Sequence, residues 1–197
     1  MSGPADDVAL VRQCLKGDEW AFAKLVSLYS GVLYRLAWRM LRNEEEARDA
    51  VQEVFLRVYR ALSSFDQSRK FSTWILRITT NHCIDRIRRR RIKMLSIDVA
   101  DKDDTYLPVV LVDGRPTPEA RYGRTALSET LDQMVLRLPP IYQAVVELRY
   151  KQQLAYSEIA EVLEIPLGTV KARLHRAHRQ LKEKLQSSGI GPEALDL

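Results

Sequence analysis

Apolar residues recur every three or four positions along most of the chain, which is the spacing of a helix that buries one face. The clearest stripe consists of Ala47, Ala50, Val51, Val54, Phe55, Val58 and Leu62. Asn43 is placed to cap the start of this helix, and Glu46 three residues later fits a capping box. The pattern predicts an amphipathic helix that begins after Asn43 and ends before the polar residues 63–68.

Two more helices are predicted before this one. A short stripe from Val8 to Leu15 predicts a first helix that Asp6 or Asp7 caps and Gly17 ends. Asp18 is placed to cap a longer second helix. The three tryptophans are predicted to be buried or half-buried: Trp20, Trp38 and Trp74.

A loop and the helix that follows it concentrate aromatic and basic side chains. The loop holds Phe65, Arg69, Lys70 and Phe71, and Ser72 is placed to cap the next helix. Six cations then fall within eight residues near the end of that helix: Arg86, Arg88, Arg89, Arg90, Arg91 and Lys93. Compensation of the helix dipole accounts for one or two of them, and a solvated basic face is the alternative for the rest. We interpret the loop and helix as a surface that holds a nucleic acid strand and stacks on its bases.

The C-terminal part of the chain has the layout of a helix-turn-helix, in which a short helix and a tight turn precede a longer basic helix. Pro139 ends one helix, and Pro140 suits the first turn of the next. A break at residues 164–166 precedes the last helix, predicted from Leu167 to Leu185. Its outward positions are basic: Lys171, Arg173, His175, Arg176 and Arg179. These favour contact with a DNA groove, and the alternative is a plain helical hairpin with a solvated basic face.

Between the two helical regions the periodic pattern fails. A cluster of aspartates, an apolar patch at residues 109–112 and the prolines Pro116 and Pro118 interrupt it, which predicts a flexible linker. The predicted fold class is all-α, with two small helical domains joined by this linker and a helix-turn-helix in the second. The predicted boundaries are an N-terminal domain at 1–93, a linker at 94–125, a C-terminal domain at 126–186 and a tail at 187–197.

Composition argues against several classes of protein. No apolar run approaches the roughly 20 residues of a membrane span, and no signal peptide is evident, so we expect a cytoplasmic protein without membrane insertion. Cys14 and Cys83 form no metal-spaced pair, and His175 and His178 lack a third ligand. Because no phosphate-binding glycine loop and no paired nucleophile and base are present, we expect no catalytic residue, no metal and no cofactor. The net charge of +5 favours an anionic partner.

Three segments resemble the extracytoplasmic-function (ECF) group of bacterial RNA polymerase sigma factors. Residues 46–57 (EARDAVQEVFLR) resemble the polymerase-binding helix of that group. Residues 71–81 (FSTWILRITTN) resemble its segment for the −10 promoter element. Residues 166–174 (PLGTVKARL), with Arg176 and Ala177, resemble its −35 recognition helix. The similarity covers nearly all of the chain from Val8 to Leu185, with the segments in the same order and spacing.

The resemblance implies a role for the residues of the N-terminal domain. Four would bind the clamp helices of the polymerase β′ subunit: Asp49, Gln52, Glu53 and Phe55. The loop from Phe65 to Phe71, which includes Arg69 and Lys70, would select a flipped base of the −10 element, and Asn81 would line its pocket. Four arginines would hold phosphates nearby: Arg77, Arg86, Arg88 and Arg89.

It also implies roles for the C-terminal domain and for further partners. The residues that would read the −35 major groove are Lys171, Arg173, His175 and Arg176, with Arg149, Tyr156 and Ser157 on the DNA backbone. The same domain would sit on the polymerase β flap, and the linker would run toward the RNA exit channel. The expected regulator is an anti-sigma factor, often membrane-bound.

Glu164, Ala172 and His175 depart from the pattern of the group. Glu164 stands in the turn where glycine is common, which predicts a strained left-handed backbone. The alternative function is a helix-turn-helix regulator that acts without joining polymerase. Such a regulator needs a dimerisation or ligand domain, and the sequence shows neither heptads nor a ligand-pocket signature.

Overall fold

The structure, a computed structural model, describes residues 4–95 and 126–187, and within these ranges its regular elements are helices. They are α1 (Pro4–Leu15), α2 (Glu19–Leu41), α3 (Glu44–Ala61), α4 (Phe71–Leu95), α5 (Ala126–Leu136), α6 (Pro140–Val146), α7 (Tyr156–Leu163) and α8 (Leu167–Ser187). The all-α prediction is confirmed. The predictions for the linker patch and for the tail beyond residue 187 lie outside the described residues.

The described residues form two compact units. Those up to Arg89, with Glu161–Glu164, belong to the first, and the others belong to the second. None of the helices in the described ranges combines the length and the apolar composition that a membrane crossing requires.

Local capping determines where α2 and α3 begin. The Asp18 carboxylate accepts hydrogen bonds from the backbone amides of Trp20 and Ala21, at 3.0 and 3.3 Å. Oδ1 of Asn43 accepts from the amide of Glu46 at 2.8 Å. Both caps satisfy amides that the first helical turn leaves without a partner, and both were predicted from the sequence.

Two predicted caps are wrong. Helix α1 begins at Pro4, so Asp6 and Asp7 lie inside its first turn. Asp7 is instead a core residue, 4% exposed. Helix α4 begins at Phe71, ahead of Ser72, because the carbonyl of Lys70 already accepts from the amide of Trp74, at 3.3 Å.

The core of the first unit lies where α2 packs against α1 and α3. Its fully buried side chains come from all four helices of this unit: Val11, Leu25, Leu33, Leu36, Val54, Val58, Phe71 and Ile75. Burial of each such aliphatic or aromatic side chain contributes about 1.5–3 kcal/mol. Phe22 on α2 extends this packing, with its ring edge-on to Phe55 at 6.5 Å and to Tyr59 at 5.0 Å.

The tryptophan prediction is only partly confirmed. Trp38 and Trp74 are half-buried, and the Arg42 guanidinium lies 4.7 Å from the Trp38 ring centroid. Trp20 is 86% exposed, against the prediction. It lies in the first turn of α2, where Ala21 is the residue that turns inward.

In the second unit, α6 packs against α8, and α5 contacts both. Pro140 occupies the first turn of α6, as predicted. The core side chains of this unit include Leu138, Leu148, Ile159, Val170, Leu174 and Leu185. Helix α6 continues into a π-helical turn at Glu147–Lys151, which the sequence pattern did not predict.

The turn between α7 and α8 has the strained backbone that was predicted. Glu164 adopts a left-handed conformation with φ of 51°. The amide of Ile165 donates to the carbonyl of Ala160 at 3.1 Å, which is the long hydrogen bond of a Schellman cap. A non-glycine residue at this position costs roughly 1 kcal/mol, and the turn nevertheless closes.

Candidate nucleic-acid and partner interfaces

The loop between α3 and α4, residues 65–70 (the α3–α4 loop), has an aromatic anchor at each end. Phe65 is 6% exposed and Phe71 is fully buried, and their ring centroids are 5.6 Å apart. Trp74 packs on both, at 5.0 and 5.7 Å. The sequence analysis interpreted this loop as a surface that stacks on bases. In the structure, the two phenylalanine rings are buried and are not free to do so. Neither ring can meet a base without leaving the core.

Hydrogen bonds order the exposed part of the loop. The amide and the hydroxyl of Ser68 donate to Oδ1 of Asp66, at 3.0 and 2.7 Å. The Arg69 amide donates to the Asp66 carbonyl at 3.0 Å, and its guanidinium lies 3.4 Å from Oδ2 of Asp66. The Ser68 donors and the Arg69 guanidinium lower the pKa of Asp66. The turn thus presents Arg69 and Lys70 at the surface in a defined conformation.

On α4, three of the predicted nucleic-acid residues share one face. Arg77, Asn81 and Arg88 are four and seven residues apart, which places them on one side of a helix. Asn81 and Arg88 are exposed, and Arg77 is half-buried. Arg89 is also exposed. These residues form a polar and basic surface along α4.

Arg86 lies on another side of α4. It follows Arg77 by nine residues, about two and a half helical turns. Its guanidinium faces α3, with Nη2 3.5 Å from Oδ2 of Asp49 and Nε 4.0 Å from Oε2 of Glu46. The structure therefore does not bring Arg86 together with Arg88, although the sequence analysis had assigned both to phosphates.

Of the four predicted polymerase-binding residues of α3, three are at least partly exposed and one is buried. Asp49 and Gln52 are exposed, and Glu53 is half-exposed. Nε of Arg57 donates to Oε1 of Glu53 at 2.9 Å, and this hydrogen bond lowers the pKa of Glu53. Phe55 is only 8% exposed and belongs to the core.

Sequence reasoning missed a residue on this surface. Leu56 follows Gln52 by four residues and Asp49 by seven, so it lies on the same face of α3. It is 51% exposed. Protein interfaces commonly place apolar groups inside a polar rim, and the helical spacing of Leu56 was the signal that could have identified it. We call Asp49, Gln52, Glu53 and Leu56 the α3 surface.

His82 lies at the boundary between α3 and α4. It is half-buried, and its Nε2 is a buried atom without a hydrogen-bond partner. Burial lowers the pKa of His82, and the nearby Arg57 and Arg86 lower it further, while Glu53 and Asp85 oppose them. The ring is therefore held neutral among charged neighbours.

Helix α8 shows the division of buried and exposed residues that its sequence predicts. Val170, Leu174 and Ala177 are buried. Lys171, His175 and Arg176 are exposed and Arg173 is half-buried, so the basic residues face away from the core of this unit. They begin one turn from the helix start, where a recognition helix meets base edges.

Arg149 and Tyr156, two of the residues predicted to contact the DNA backbone, lie next to each other in this unit. The Arg149 guanidinium carbon lies 5.0 Å from the centroid of the Tyr156 ring. Nη1 of Arg149 donates to the carbonyl of Leu154 at 2.9 Å. Ser157 is exposed in the first turn of α7. The π-helical turn holds Arg149 in place, so its charge is oriented before any ligand binds.

The two histidines of α8 have separate surroundings. Nε2 of His178 lies 2.7 Å from the hydroxyl oxygen of Tyr150, while His175 is exposed. Burial and the neighbouring His175 lower the pKa of His178. Within the described ranges, no group of three histidine, cysteine or acidic side chains is arranged to hold a metal ion.

Comparisons with known proteins match both units. The family model described as Sigma-70 region 2 matches residues 25–92, and that described as Sigma-70, region 4 matches residues 128–181. The chain is 42% identical over 177 residues to the ECF RNA polymerase sigma factor SigW of Bacillus subtilis (strain 168), covering 89% of this chain and 95% of the relative. It is 33% identical over 192 residues to the ECF RNA polymerase sigma-E factor of Escherichia coli (strain K12), covering 94% and 97%.

Solved structures share the fold. CnrH, solved in complex with the cytosolic domain of CnrY, has a TM-score of 0.62 at 24% identity and covers 92% of this chain and 98% of its own. The sigma factor RpoE of Bartonella quintana, solved with the anti-sigma factor NepR, has a TM-score of 0.62 at 21% identity, covering 84% and 96%.

Proposed function

Because the chain belongs to the ECF group of RNA polymerase sigma factors, we propose that its exposed surfaces divide the work of promoter recognition between the two units. The protein binds RNA polymerase and directs it to specific promoters for initiation, and it is not an enzyme. What we infer in addition is which residues perform each step and which parts of polymerase they touch.

We assign the α3 surface to the clamp helices of the polymerase β′ subunit. Asp49, Gln52 and Glu53 supply exposed polar groups, and Leu56 adds an apolar anchor among them. Phe55 supports α3 from the core side. A small apolar anchor with a polar rim is the usual composition of a protein interface.

We assign the α3–α4 loop and the basic face of α4 to the −10 element. Asn81 and the loop side chains Arg69 and Lys70 would capture the flipped base, while Arg77, Arg88 and Arg89 would hold phosphates. Phe65 and Phe71 anchor the loop instead of stacking on DNA, because both are buried. Arg86 is left out of the phosphate set because it faces the carboxylates of α3.

We assign the second unit to the −35 element. Lys171, Arg173, His175 and Arg176 would read the major groove, with the oriented Arg149, Tyr156 and Ser157 on the DNA backbone. This unit would also sit on the polymerase β flap, with residues 94–125 as the connection between domains at 1–93 and 126–186. An anti-sigma factor is the proposed regulator, and the cytoplasm, where polymerase works, is the proposed site of action.

Energetics explain why polymerase is required. Opening duplex DNA costs about 1.4 kcal/mol per base step. Even a base that stacks on an aromatic side chain returns only about 1–3 kcal/mol, so one captured base cannot hold several opened pairs. We therefore expect that the purified chain opens no promoter and that its complex with polymerase core does.

The basic outward face of α8, in a unit separate from the α3 surface, is the observation that carries this proposal. Permanganate reactivity of thymines at a promoter transcribed by this holoenzyme tests the melting step. Reactivity with core and chain together, and none with either alone, is the expected result. Opening by the chain alone would contradict it.

A substitution pair tests the groove assignment. Lys171→Ala in the first turns of α8 should weaken holoenzyme binding to duplex −35 DNA by about 1–3 kcal/mol, because it removes a contact in the groove. Lys182→Ala, at an exposed position nearer the helix end, is the matched control and should retain affinity. Equal effects of the two substitutions would show general charge attraction and would refute the assignment to the start of α8.

A further inference from the structure

Helix α1 is hydrogen-bonded to the α3–α4 loop. Nε of Arg12 donates to Oε1 of Gln67 at 3.0 Å. Both side chains lie at the surface, so this bond joins α1 to the exposed part of the loop without contributing to the core.

A second connection reaches the end of the loop through α2. The Tyr29 hydroxyl donates to Oδ2 of Asp7 on α1 at 2.5 Å. The side chain of Ser72, in the first turn of α4, also hydrogen-bonds to Tyr29. The Tyr29 ring packs edge-on against Phe71, with centroids 5.4 Å apart. Tyr29 thus links Asp7 on α1 to Phe71 and Ser72, the first two residues of α4 after the loop.

The buried connection is stable only with its hydrogen bonds in place. Asp7 is 4% exposed, and a carboxylate in the core is unfavourable unless a donor satisfies it. Burial, and then the interaction with Asp7, raise the pKa of Tyr29, so the hydroxyl keeps its proton and remains a donor.

We propose that Asp7, Tyr29 and Arg12 are positioning residues that hold the α3–α4 loop in the conformation that captures the −10 base. None of the three is assigned to contact with DNA. The inference depends on the proposed function, because it concerns the loop that we assign to the −10 element. Pre-organisation matters at such a site, since a pocket misplaced by about 1 Å loses much of its binding.

The test uses holoenzyme assembled from polymerase core and the full chain. The probe is a fluorescent single-stranded oligonucleotide that carries the nontemplate −10 segment of a promoter transcribed by the wild-type holoenzyme. Tyr29→Phe removes the hydroxyl and keeps the ring, and Arg12→Ala removes the surface bond. Each should weaken binding of the probe about threefold to tenfold, the effect of one lost hydrogen bond. Affinity for core should change less than about twofold, because the α3 surface is untouched.

Matched controls separate positioning from stability. Tyr34→Phe and Arg35→Ala make the same chemical changes elsewhere on α2 and should leave probe binding unchanged. Asp7→Asn keeps a side-chain acceptor for the Tyr29 hydroxyl and should bind the probe better than Asp7→Ala. A parallel loss of core affinity, duplex −35 affinity and melting temperature would assign the contacts to the fold and overturn the inference. Unchanged probe binding by both Tyr29→Phe and Arg12→Ala would also overturn it.

Two further variants distinguish failure of this inference from failure of the proposed function. Asn81→Ala and Lys70→Ala change residues that we place at the base itself. If they weaken probe binding while Tyr29→Phe and Arg12→Ala do not, only the positioning role is refuted. If they also leave binding unchanged, the assignment of the loop to the −10 element is refuted, and the positioning role with it.

Discussion

Arg86 of α4 turns toward Asp49 of α3, with its Nη2 atom 3.5 Å from Oδ2 of the carboxylate. Arg86 belongs to a basic run in the sequence, yet its charge is directed at an acidic helix and not at the surface that Arg88 occupies. Both partners are partly exposed, so the pair contributes about 0–1 kcal/mol to stability. The pair matters more for function, because an arginine that faces Asp49 is not directed at the surface that we assign to DNA.

The first prediction compares Arg86 with Arg88. Arg88→Gln should reduce by about one the slope of log affinity for promoter DNA against log salt, because one phosphate contact is lost. Arg86→Gln should leave that slope unchanged and should alter affinity for polymerase core, because it releases Asp49. The measurement is holoenzyme binding to promoter DNA over a series of salt concentrations, with core binding measured separately. Equal reductions in slope would mean that Arg86 leaves α3 when DNA binds.

The second prediction concerns Phe71, the first residue of α4 and the aromatic anchor at the end of the α3–α4 loop. Phe71→Ala should destabilise the first unit by about 3–5 kcal/mol, because it opens a cavity among Phe65, Trp74 and Tyr29. Asn81→Ala, at an exposed position, should change stability by less than about 0.5 kcal/mol while it impairs −10 binding. Urea unfolding followed by tryptophan fluorescence measures this, because all three tryptophans lie in the first unit. A stable Phe71→Ala variant that lost only DNA binding would restore the stacking role.

The sequence predicts correctly those features that depend on neighbouring residues. The caps at Asp18 and Asn43, the stop at Gly17 and the start at Pro140 depend on residues a few positions away, so local chemistry determines them. The inward and outward faces of α8 follow in the same way from helical spacing.

The errors arise where tertiary packing decides. An aromatic residue in a polar loop has the same local pattern whether it is exposed or buried, and Phe65 is buried because Phe71 and Trp74 of α4 pack against it. Asp7 resembles a helix cap until Tyr29, 22 residues away, provides its donor. The π-helical turn that orients Arg149 likewise has no signal in hydrophobic periodicity.

The third prediction concerns pH. The pKa of His82 is lowered in the folded protein, chiefly by burial, whereas the unfolded chain takes up its proton near pH 6.5. The unfolded state therefore binds more protons as the pH falls, and the stability of the first unit should decrease below about pH 6.5. His82→Gln should flatten this dependence below about pH 6.5, where the unfolded chain binds a proton that the folded histidine does not yet bind.

Tryptophan-detected urea midpoints at several pH values measure this effect. His175→Gln is the matched control, since His175 is exposed on α8, and its profile should follow the wild type. A His82→Gln profile that still declined as steeply as the wild type would assign the pH dependence to other groups.

The fourth prediction concerns the turn between α7 and α8. Glu164 has φ of 51°, a conformation that glycine adopts without a steric penalty. Glu164→Gly should therefore stabilise the protein by up to about 1 kcal/mol, although the freedom of glycine in the unfolded chain and the loss of the Arg77–Glu164 ion pair offset part of the gain. Glu161→Gly, at an exposed position inside α7, is the matched control and should destabilise by about 1 kcal/mol. The circular-dichroism unfolding transition in urea measures the free energy of unfolding of both variants against the wild type. If both substitutions destabilised this transition alike, the left-handed turn would carry no strain for glycine to relieve.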